Sequence, residues 1–287
     1  MFVREHTQNW PVQVVCQVLQ LSRSAYYNWL SGNLAMSSNQ IENPVDKAVK
    51  ETFEQHRRRY GVRRIVVELQ EKGLNIGSYQ VRQVMQKNGL KAIQPRSFVP
   101  RTTDSRHPYL ISPNRLLERP FPVNPNEVWV GDITYIAMAN GSFLYLAVWM
   151  DLYSRKIIGW QLEDNMKEEL VIAAFKKACQ NRLVKEGLII HSDRGGQYAG
   201  NIFRKLILDN KIIQSMSRAD NPYDNAFMES CFSRFKAELM QDGAFISEDD
   251  AKTEIFEYIE MYYNPIRRHS ALNYLSPINF ESKYYNN

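Results

Sequence analysis

The sequence predicts an α/β protein in which an all-α region precedes a mixed β-sheet. Up to about residue 90, apolar side chains recur at helical spacing in short segments between turn residues. From residue 127 onward, runs of β-branched and aromatic residues alternate with helical segments. A chain of 287 residues has room for two or three folded units, at about 100–200 residues for each.

Composition excludes several classes of protein. With 44% hydrophobic and 23% charged residues, the chain matches globular proteins rather than disordered or collagen-like ones. No apolar run approaches the roughly 18 residues of a membrane helix, and the first residues lack the apolar core of a secretory signal. Three widely spaced cysteines argue against a disulfide scaffold and favour a reducing, cytoplasmic setting.

The positive charge of the chain is concentrated in its front part. Residues 1–120 carry 18 Lys and Arg against 9 Asp and Glu, whereas residues 121–287 carry 18 against 22. This asymmetry predicts that the front part holds a polyanion. A merely solvated basic surface is the alternative interpretation.

Residues 1–36 are predicted to form an N-terminal helical segment resembling a helix-turn-helix. One helix follows Pro11, and a second begins after Ser22 as N-cap and stops at Gly32. A generic helical hairpin fits the same pattern.

Residues 44–92 are predicted to form a helix-turn-helix DNA-binding domain. Helices are expected over 44–57, 62–72 and 78–88, the last capped by Ser78. A basic outer face on such a layout is typical of DNA binding, although a purely structural helical domain remains the alternative. The residues predicted to be exposed and to bind DNA are Arg57, Arg58, Arg59, Arg63, Arg64, Arg82, Lys87 and Lys91.

A proline-rich basic linker is predicted over residues 93–120, followed by a core over 121–285. Strands are expected over 127–138, 142–152 and 156–162, with Asn140-Gly141 as a hairpin turn. Helices and strands then alternate: helix 167–182, strand 188–191, helix 202–209 and strand 212–216, with long helices over 227–240 and 248–263. Three antiparallel strands followed by this alternation match the element order of the ribonuclease H-like fold.

Three acidic residues lie in segments where apolar or purely structural residues are expected. Asp132 lies within the most hydrophobic strand, Asp193 ends the fourth strand, and Glu229 lies on a later helix. Singly, Asp193 could cap a turn and Glu229 could be a solvated helix residue. Together, three carboxylates at a sheet edge predict a site for Mg²⁺ or Mn²⁺. Two such ions about 3.5–4 Å apart support in-line phosphoryl transfer.

These segments carry a family resemblance. Residues 129–135 (WVGDITY), 191–198 (HSDRGGQY) and 224–230 (DNAFMES), with the 35 residues between Asp193 and Glu229, resemble the DDE transposases of the IS3 family. The resemblance is to their second reading frame, OrfB, a relative of the retroviral integrase core. Residues 263–280, which include Asn264-Pro265 and Arg267-Arg268-His269, resemble the same family.

The resemblance implies roles for individual residues. Asp132 and Asp193 would share one metal ion, and Asp132 and Glu229 the other. Lys236, two helical turns after Glu229, would contact DNA phosphate, with a solvated lysine as the alternative. Asn225 would support the metal site. His191 would touch the substrate strand or serve as a structural histidine.

The resemblance also implies a function and partners. The chain is expected to bind the terminal inverted repeats of an insertion element and target DNA, and to catalyse metal-dependent cleavage and strand transfer. A homo-oligomer on DNA, the upstream-frame (OrfA) product as partner, no membrane contact and a place on the bacterial nucleoid in the cytoplasm are expected too. The alternatives are a DNA-binding regulator of transposition with an idle core, and a stand-alone ribonuclease H-like nuclease.

Overall fold

The computed structural model describes residues 10–31, 43–95, 107–117, 119–218, 222–240 and 243–286. The chain divides into two compact units, residues 1–51 and 52–287. The predicted helix stop at Gly32 and the predicted linker residues 96–106 lie outside the described residues. The domain boundaries given above therefore stay predictions.

The first unit is helical, as predicted. Helix α1 (Val12–Val18) buries Val15 and Cys16, and α2 (Arg23–Leu30) follows it after a short turn. Helix α3 (Pro44–Gln55) begins in this unit and continues into the second. Its start is stabilised by Asn43, whose Oδ1 accepts a hydrogen bond from the backbone N–H of Val45 at 3.0 Å.

Helices α4 (Val62–Glu71) and α5 (Ser78–Lys87) pack against each other through buried aliphatic side chains. The predicted cap of α5 is wrong: Gly77 precedes the helix, and its backbone N–H donates to Oε1 of Gln80 at 3.0 Å. Helix α3 also ends earlier than predicted, because Arg57 and Arg58 adopt left-handed backbone angles, with φ of 47° and 62°.

A five-stranded mixed sheet forms the core, with strand order β3-β2-β1-β4-β5. The first three strands are antiparallel, β4 runs parallel to β1, and β5 runs parallel to β4. The ribonuclease H-like fold class is thereby confirmed. The strands are β1 (Val128–Ala137), β2 (Phe143–Asp151), β3 (Ile157–Glu163), β4 (Ile189–Ser192) and β5 (Ile213–Met216).

Helices cover both faces of this sheet. One face packs Trp129 and Trp149 against α6 (Glu168–Asn181), α7 (Gly196–Ala199) and α8 (Asn201–Asp209). Helix α6 approaches β3 so closely that a Cβ at Gly159 would lie 2.4 Å from a helix carbonyl oxygen.

The opposite face packs against α9 (Ala226–Leu239) and α10 (Glu248–Phe256). The predicted single helix over 248–263 is wrong in its second half, because a π-helix spans Glu257–Tyr263. There the backbone N–H of Asn264 donates to the carbonyl five residues earlier, at 3.0 Å. Helix α11 (Pro277–Tyr285) ends the described chain.

Residues 107–117, which fall within the predicted linker, contact the core. Ser112 Oγ donates to Oε1 of Gln214 at 2.8 Å, and the backbone N–H of Arg115 donates to Oγ of Ser215 at 2.8 Å. This segment therefore lies beside β5. Within the described ranges, no helix has the length and apolar character needed to span a bilayer.

Candidate active site

Asp132 lies in β1, the central strand of the sheet. Its Oδ1 accepts a hydrogen bond from the backbone N–H of Ile133 at 2.8 Å. The preceding residue, Gly131, lies opposite Trp149 on β2, and a Cβ at position 131 would be 2.6 Å from the Trp149 ring. Glycine therefore permits the close packing that fixes the backbone beside Asp132.

Asp193 directly follows β4, the strand that pairs with the strand of Asp132, β1. Val130 of β1 pairs with His191 of the parallel strand β4. Asp132 lies two residues after Val130, and Asp193 lies two residues after His191. Both aspartates therefore lie just beyond the paired stretch of β1 and β4, and the charge of Asp193 acts on Asp132. Oδ1 of Asp193 accepts a hydrogen bond from the backbone N–H of Gly195 at 3.0 Å, which shapes the turn into α7.

Glu229 lies in the first turn of α9 and its side chain is exposed. The buried residues Met228 and Phe232 of the same helix pack in the cluster that contains Val130 of β1. Lys236 lies two turns further along α9 and is half-buried, with Nζ 3.8 Å from the centroid of the Tyr135 ring. The helix thus brings an acid and a base close to the central strand.

The charges of these residues act on one another. Burial, and then the negative charges of Asp193 and Glu229, raise the pKa of Asp132 well above its usual range. Partial burial raises the pKa of Glu229 as well. Burial lowers the pKa of Lys236 to about 8, while the charge of Asp132 opposes that shift. The structure brings the three predicted carboxylates into electrostatic contact.

The three carboxylates do not form a ready metal cage. In the part of the chain that the structure describes, no group of three His, Cys, Asp or Glu residues is placed to hold a metal ion. The donor set itself, all carboxylate oxygen around the half-buried Asp132, fits a hard divalent cation.

Models of two kinds of domain match the chain. An integrase core domain matches residues 122–222, and a second integrase core domain model matches residues 210–277. An HTH-like domain matches residues 40–98. The first two matches contain Asp132, Asp193 and Glu229.

Curated relatives extend over most of the chain. A transposase for insertion sequence element IS904 of Lactococcus lactis is 39% identical over 246 residues, which cover 85% of this chain and 96% of the relative. Transposase InsF for insertion sequence IS3A of Escherichia coli is 34% identical over 284 residues, covering 99% of this chain and 98% of the relative. The chain belongs to the IS3 family of transposases.

The fold of the chain is also similar to solved structures. The HTLV-2 integrase catalytic core domain in complex with magnesium, in its trimeric form, is similar with a TM-score of 0.43 and 18% identity. The similarity covers 55% of this IS3-family chain and 98% of that one.

Two residues predicted to support the site of this IS3-family chain are buried. The ring of His191 lies between Oγ of Ser215, at 2.8 Å, and Oγ of Ser217, at 3.4 Å, and burial lowers its pKa to about 4. This arrangement favours the structural alternative for His191. Nδ2 of Asn225 donates to the carbonyl of Gly131 at 3.4 Å, which ties the start of α9 to the strand beside Asp132.

The predicted DNA-binding residues of this IS3-family chain differ in accessibility. The prediction that Arg59 is exposed is wrong: its side chain packs over the rings of Tyr258 and Tyr262, and only 9% of the residue is exposed. Arg64 is half-buried, with its guanidinium over the Tyr60 ring at 5.5 Å. The exposed members of the set are Arg57, Arg58, Arg63, Arg82, Lys87 and Lys91.

Two residues near the site escaped the sequence analysis. The buried hydroxyl of Tyr198 has no hydrogen-bond partner among the described residues, and the charges of Asp132 and Asp193 act on it. Asp224 accepts hydrogen bonds from Asn114 and Arg218, and those from Arg218 lower its pKa to about 2. Tyr198 follows Asp193 by five residues, and Asp224 precedes Glu229 by five residues. This short distance in sequence from the predicted site residues was the only feature that could have pointed to them.

Proposed function

We propose that this chain is a DDE transposase that binds the ends of an insertion element and catalyses metal-dependent DNA cleavage and strand transfer. The observation that carries the proposal is that Asp132 and Asp193 each lie two residues beyond Val130 and His191, the last paired residues of the parallel strands β1 and β4. Family membership supports the same conclusion, since the relatives are transposases along nearly their full length.

Asp132, Asp193 and Glu229 would hold Mg²⁺ or Mn²⁺, two ions in all. When bound, such ions activate a nucleophilic oxygen and stabilise the leaving oxygen of a phosphodiester. The raised pKa of Asp132 supports this assignment, because a half-buried carboxyl beside two other acids is stabilised in its charged form by a cation. Asn225 would keep α9 aligned with β1 while Glu229 reaches the metal site.

The exposed basic residues around α4 and α5 would hold the phosphates of the element end. Each phosphate contact that is lost lowers the slope of log Kd against log salt by about one. We therefore expect Arg82→Ala to weaken end binding and to reduce this slope, as measured by fluorescence anisotropy from low to high salt. Lys211→Ala is the matched control, because Lys211 is an exposed basic residue of the core paired with Glu186. A slope equal to that of the wild type would contradict the assignment of Arg82.

The upstream-frame product would act with this chain, and the chain would form a homo-oligomer on DNA. We place its action in the bacterial cytoplasm, on the nucleoid, because the proposed substrate is chromosomal and element DNA. Lys236 would contact a DNA phosphate beside the catalytic carboxylates once it moves off the Tyr135 ring.

The decisive experiment is strand transfer in vitro on DNA that carries the element ends. Reactions compare Mg²⁺ with EDTA, and wild type with Glu229→Gln, each with and without the upstream-frame product. Glu186→Gln, an exposed core glutamate, is the control. Joining that requires metal and is lost only in Glu229→Gln supports the proposal. End binding without joining under every condition contradicts it and favours the regulator of transposition.

A further inference from the structure

Two consecutive arginines in the loop after the π-helix contact different parts of the molecule. Arg268 binds α4: its Nε donates to Oε2 of Glu68 at 2.7 Å, and its Nη1 and Nη2 donate to the two carboxylate oxygens of Glu71 at 2.9 and 2.6 Å. Nη1 also donates to the carbonyl of Tyr274 at 3.1 Å. The guanidinium thus joins two acidic residues of one helix to a turn of the core.

Arg267 binds α9 instead. Its Nε and Nη2 donate to the two carboxylate oxygens of Glu238 at 2.9 and 2.6 Å, and both side chains are almost completely buried. Tyr258 donates its hydroxyl proton to the same carboxylate at 2.8 Å. Glu238 and Glu229 lie on the same helix, nine residues apart.

Further contacts strengthen the attachment to the helices before the core. The hydroxyl of Tyr60, which is fully buried, donates to the carbonyl of Ile266 at 3.2 Å and accepts from the backbone N–H of Arg268 at 2.9 Å. The buried guanidinium of Arg59 packs over Tyr258 and Tyr262 of the π-helix at 5.0 and 4.5 Å. Arg59 and Tyr60 lie three and two residues before Val62, the first residue of α4.

The chemistry of these contacts favours fixed geometry. Arginine presents its donors in a planar fork, so a two-oxygen contact with a carboxylate defines direction as well as distance. Because these two consecutive residues each hold a different helix, the loop that carries them has little freedom. The helices α4 and α9 are therefore held in one orientation through Arg268 and Arg267.

We propose that Arg268 is a positioning residue that sets where the DNA end is cut. By fixing α4 and α5 relative to α9, it fixes the distance between the predicted DNA contacts Arg82 and Lys87 and the carboxylate of Glu229. The inference rests on the proposed function. It goes beyond that function, because it assigns the choice of scissile phosphodiester to a contact remote from both DNA and the carboxylates.

The test compares Arg268→Ala with wild type on labelled element ends. We expect end binding to change by less than about tenfold, while the cleavage products spread over neighbouring phosphodiesters. Arg268→Lys should give an intermediate spread, because an ammonium group cannot reproduce the fork. Lys72→Ala is the matched control, since Lys72 also pairs with Glu68, and its Nζ otherwise donates to Gln55 of α3 at 3.4 Å. A single cleavage position in Arg268→Ala, equal to that of the wild type, would overturn the proposal.

A second measurement does not depend on cleavage. Spin labels on introduced non-natural residues at the exposed positions Gln83 of α5 and Ser233 of α9 report the distance between the two helices. We expect one narrow distance distribution in the wild type and a broad one in Arg268→Ala. If Arg268→Ala does not fold, Glu71→Gln weakens the same contact at a half-exposed residue. Equal distributions overturn the coupling, whereas an inactive wild type with a narrow distribution overturns only the proposed function.

Discussion

Asn264 binds both backbone groups of Ile157, the first residue of β3. Its Oδ1 accepts a hydrogen bond from the N–H of Ile157 at 3.0 Å, and its Nδ2 donates to the carbonyl of Ile157 at 2.9 Å. Strand β3 is the outermost strand on its side of the sheet. The amide therefore takes the place of a neighbouring strand at that point, and it anchors the loop that carries Arg267 and Arg268.

Replacing Asn264 with alanine should destabilise the fold strongly. The change leaves the buried N–H and carbonyl of Ile157 without their partner, at about 1–3 kcal/mol for each group. Urea denaturation followed by circular dichroism measures the loss in the free energy of unfolding. Asn210→Ala is the control, because Asn210 is exposed and donates to a backbone carbonyl one turn earlier. Similar losses in the two variants would contradict this account of Asn264.

The ion pair between Arg267 and Glu238 should tolerate no single replacement. Only 2% of the Arg267 side chain is exposed. Glu238→Gln leaves the positive charge of Arg267 buried without a counter-charge, which lowers the free energy of unfolding by about 3–5 kcal/mol. Chemical denaturation at neutral pH measures this difference.

The exposed pair of Lys211 and Glu186 gives the matched comparison. Glu186→Gln should change the free energy of unfolding by less than about 1 kcal/mol, because water screens an exposed ion pair. If Glu238→Gln were equally mild, the pair of Arg267 and Glu238 would not hold the loop against α9.

The stability of the fold should fall in mild acid because of His56. Burial lowers its pKa from 6.5 to about 4, and neither ring nitrogen has a hydrogen-bond partner among the described residues. Between these two values the unfolded chain binds a proton that the folded chain does not, so stability is lost as pH falls. The charged groups that also act on His56 are Glu68, Lys72, Arg268 and Arg59.

The measurement is thermal unfolding from pH 7.5 to 4.5 in wild type and His56→Phe. Phenylalanine keeps a ring stacked on Tyr60, where the ring centroids are 3.7 Å apart, and it does not titrate. We expect the two proteins to differ in their pH dependence below about pH 6.5, with the smaller loss in the variant. Parallel curves over the whole range would show that His56 plays no part.

Removing the hydroxyl of Tyr198 should stabilise the metal-free protein. The ring packs between Trp149 and Phe203, whereas the buried hydroxyl has no partner in the described part of the chain. An unsatisfied buried hydroxyl costs about 1–3 kcal/mol, which Tyr198→Phe recovers in part. Differential scanning calorimetry in EDTA measures the change.

Tyr263→Phe is expected to act in the opposite direction. The hydroxyl of Tyr263 donates to the carbonyl of Arg155 at 3.2 Å, so its removal should lower the free energy of unfolding by about 1 kcal/mol. A lower midpoint in Tyr198→Phe as well would mean that the Tyr198 hydroxyl is satisfied, by an internal water for example.

The local sequence was sufficient to predict the sheet and its acidic residues. The hydrophobic run around Asp132 identifies a central strand, and a carboxylate inside it is costly unless it has a use. The same reasoning placed Asp193 at the end of a buried strand, where the register of β1 and β4 brings it beside Asp132. These inferences needed only periodicity and the cost of burying charge.

The predictions were wrong where residues distant in sequence determine the burial or the conformation of a segment. The basic segment around Arg59 predicts an exposed side chain. Its burial is explained by the tyrosines of the π-helix, about two hundred residues later in the chain. Helical spacing does not distinguish an α-helix from the π-helix of Glu257–Tyr263, since both bury aromatic residues at similar intervals. The start of α5 depends on the Gln80 side chain, which accepts a hydrogen bond from the backbone N–H of Gly77.

The order of the strands has a consequence for protein synthesis. Strands β1, β2 and β3 are adjacent in sequence as well as in the sheet, whereas Val130 and His191 pair across 61 positions of the chain. Strands β1, β2 and β3 are therefore synthesised before Asp193 and Glu229 have been translated. Any product of interrupted translation that ends before Glu229 lacks one of the three carboxylates that we propose hold the metal ions.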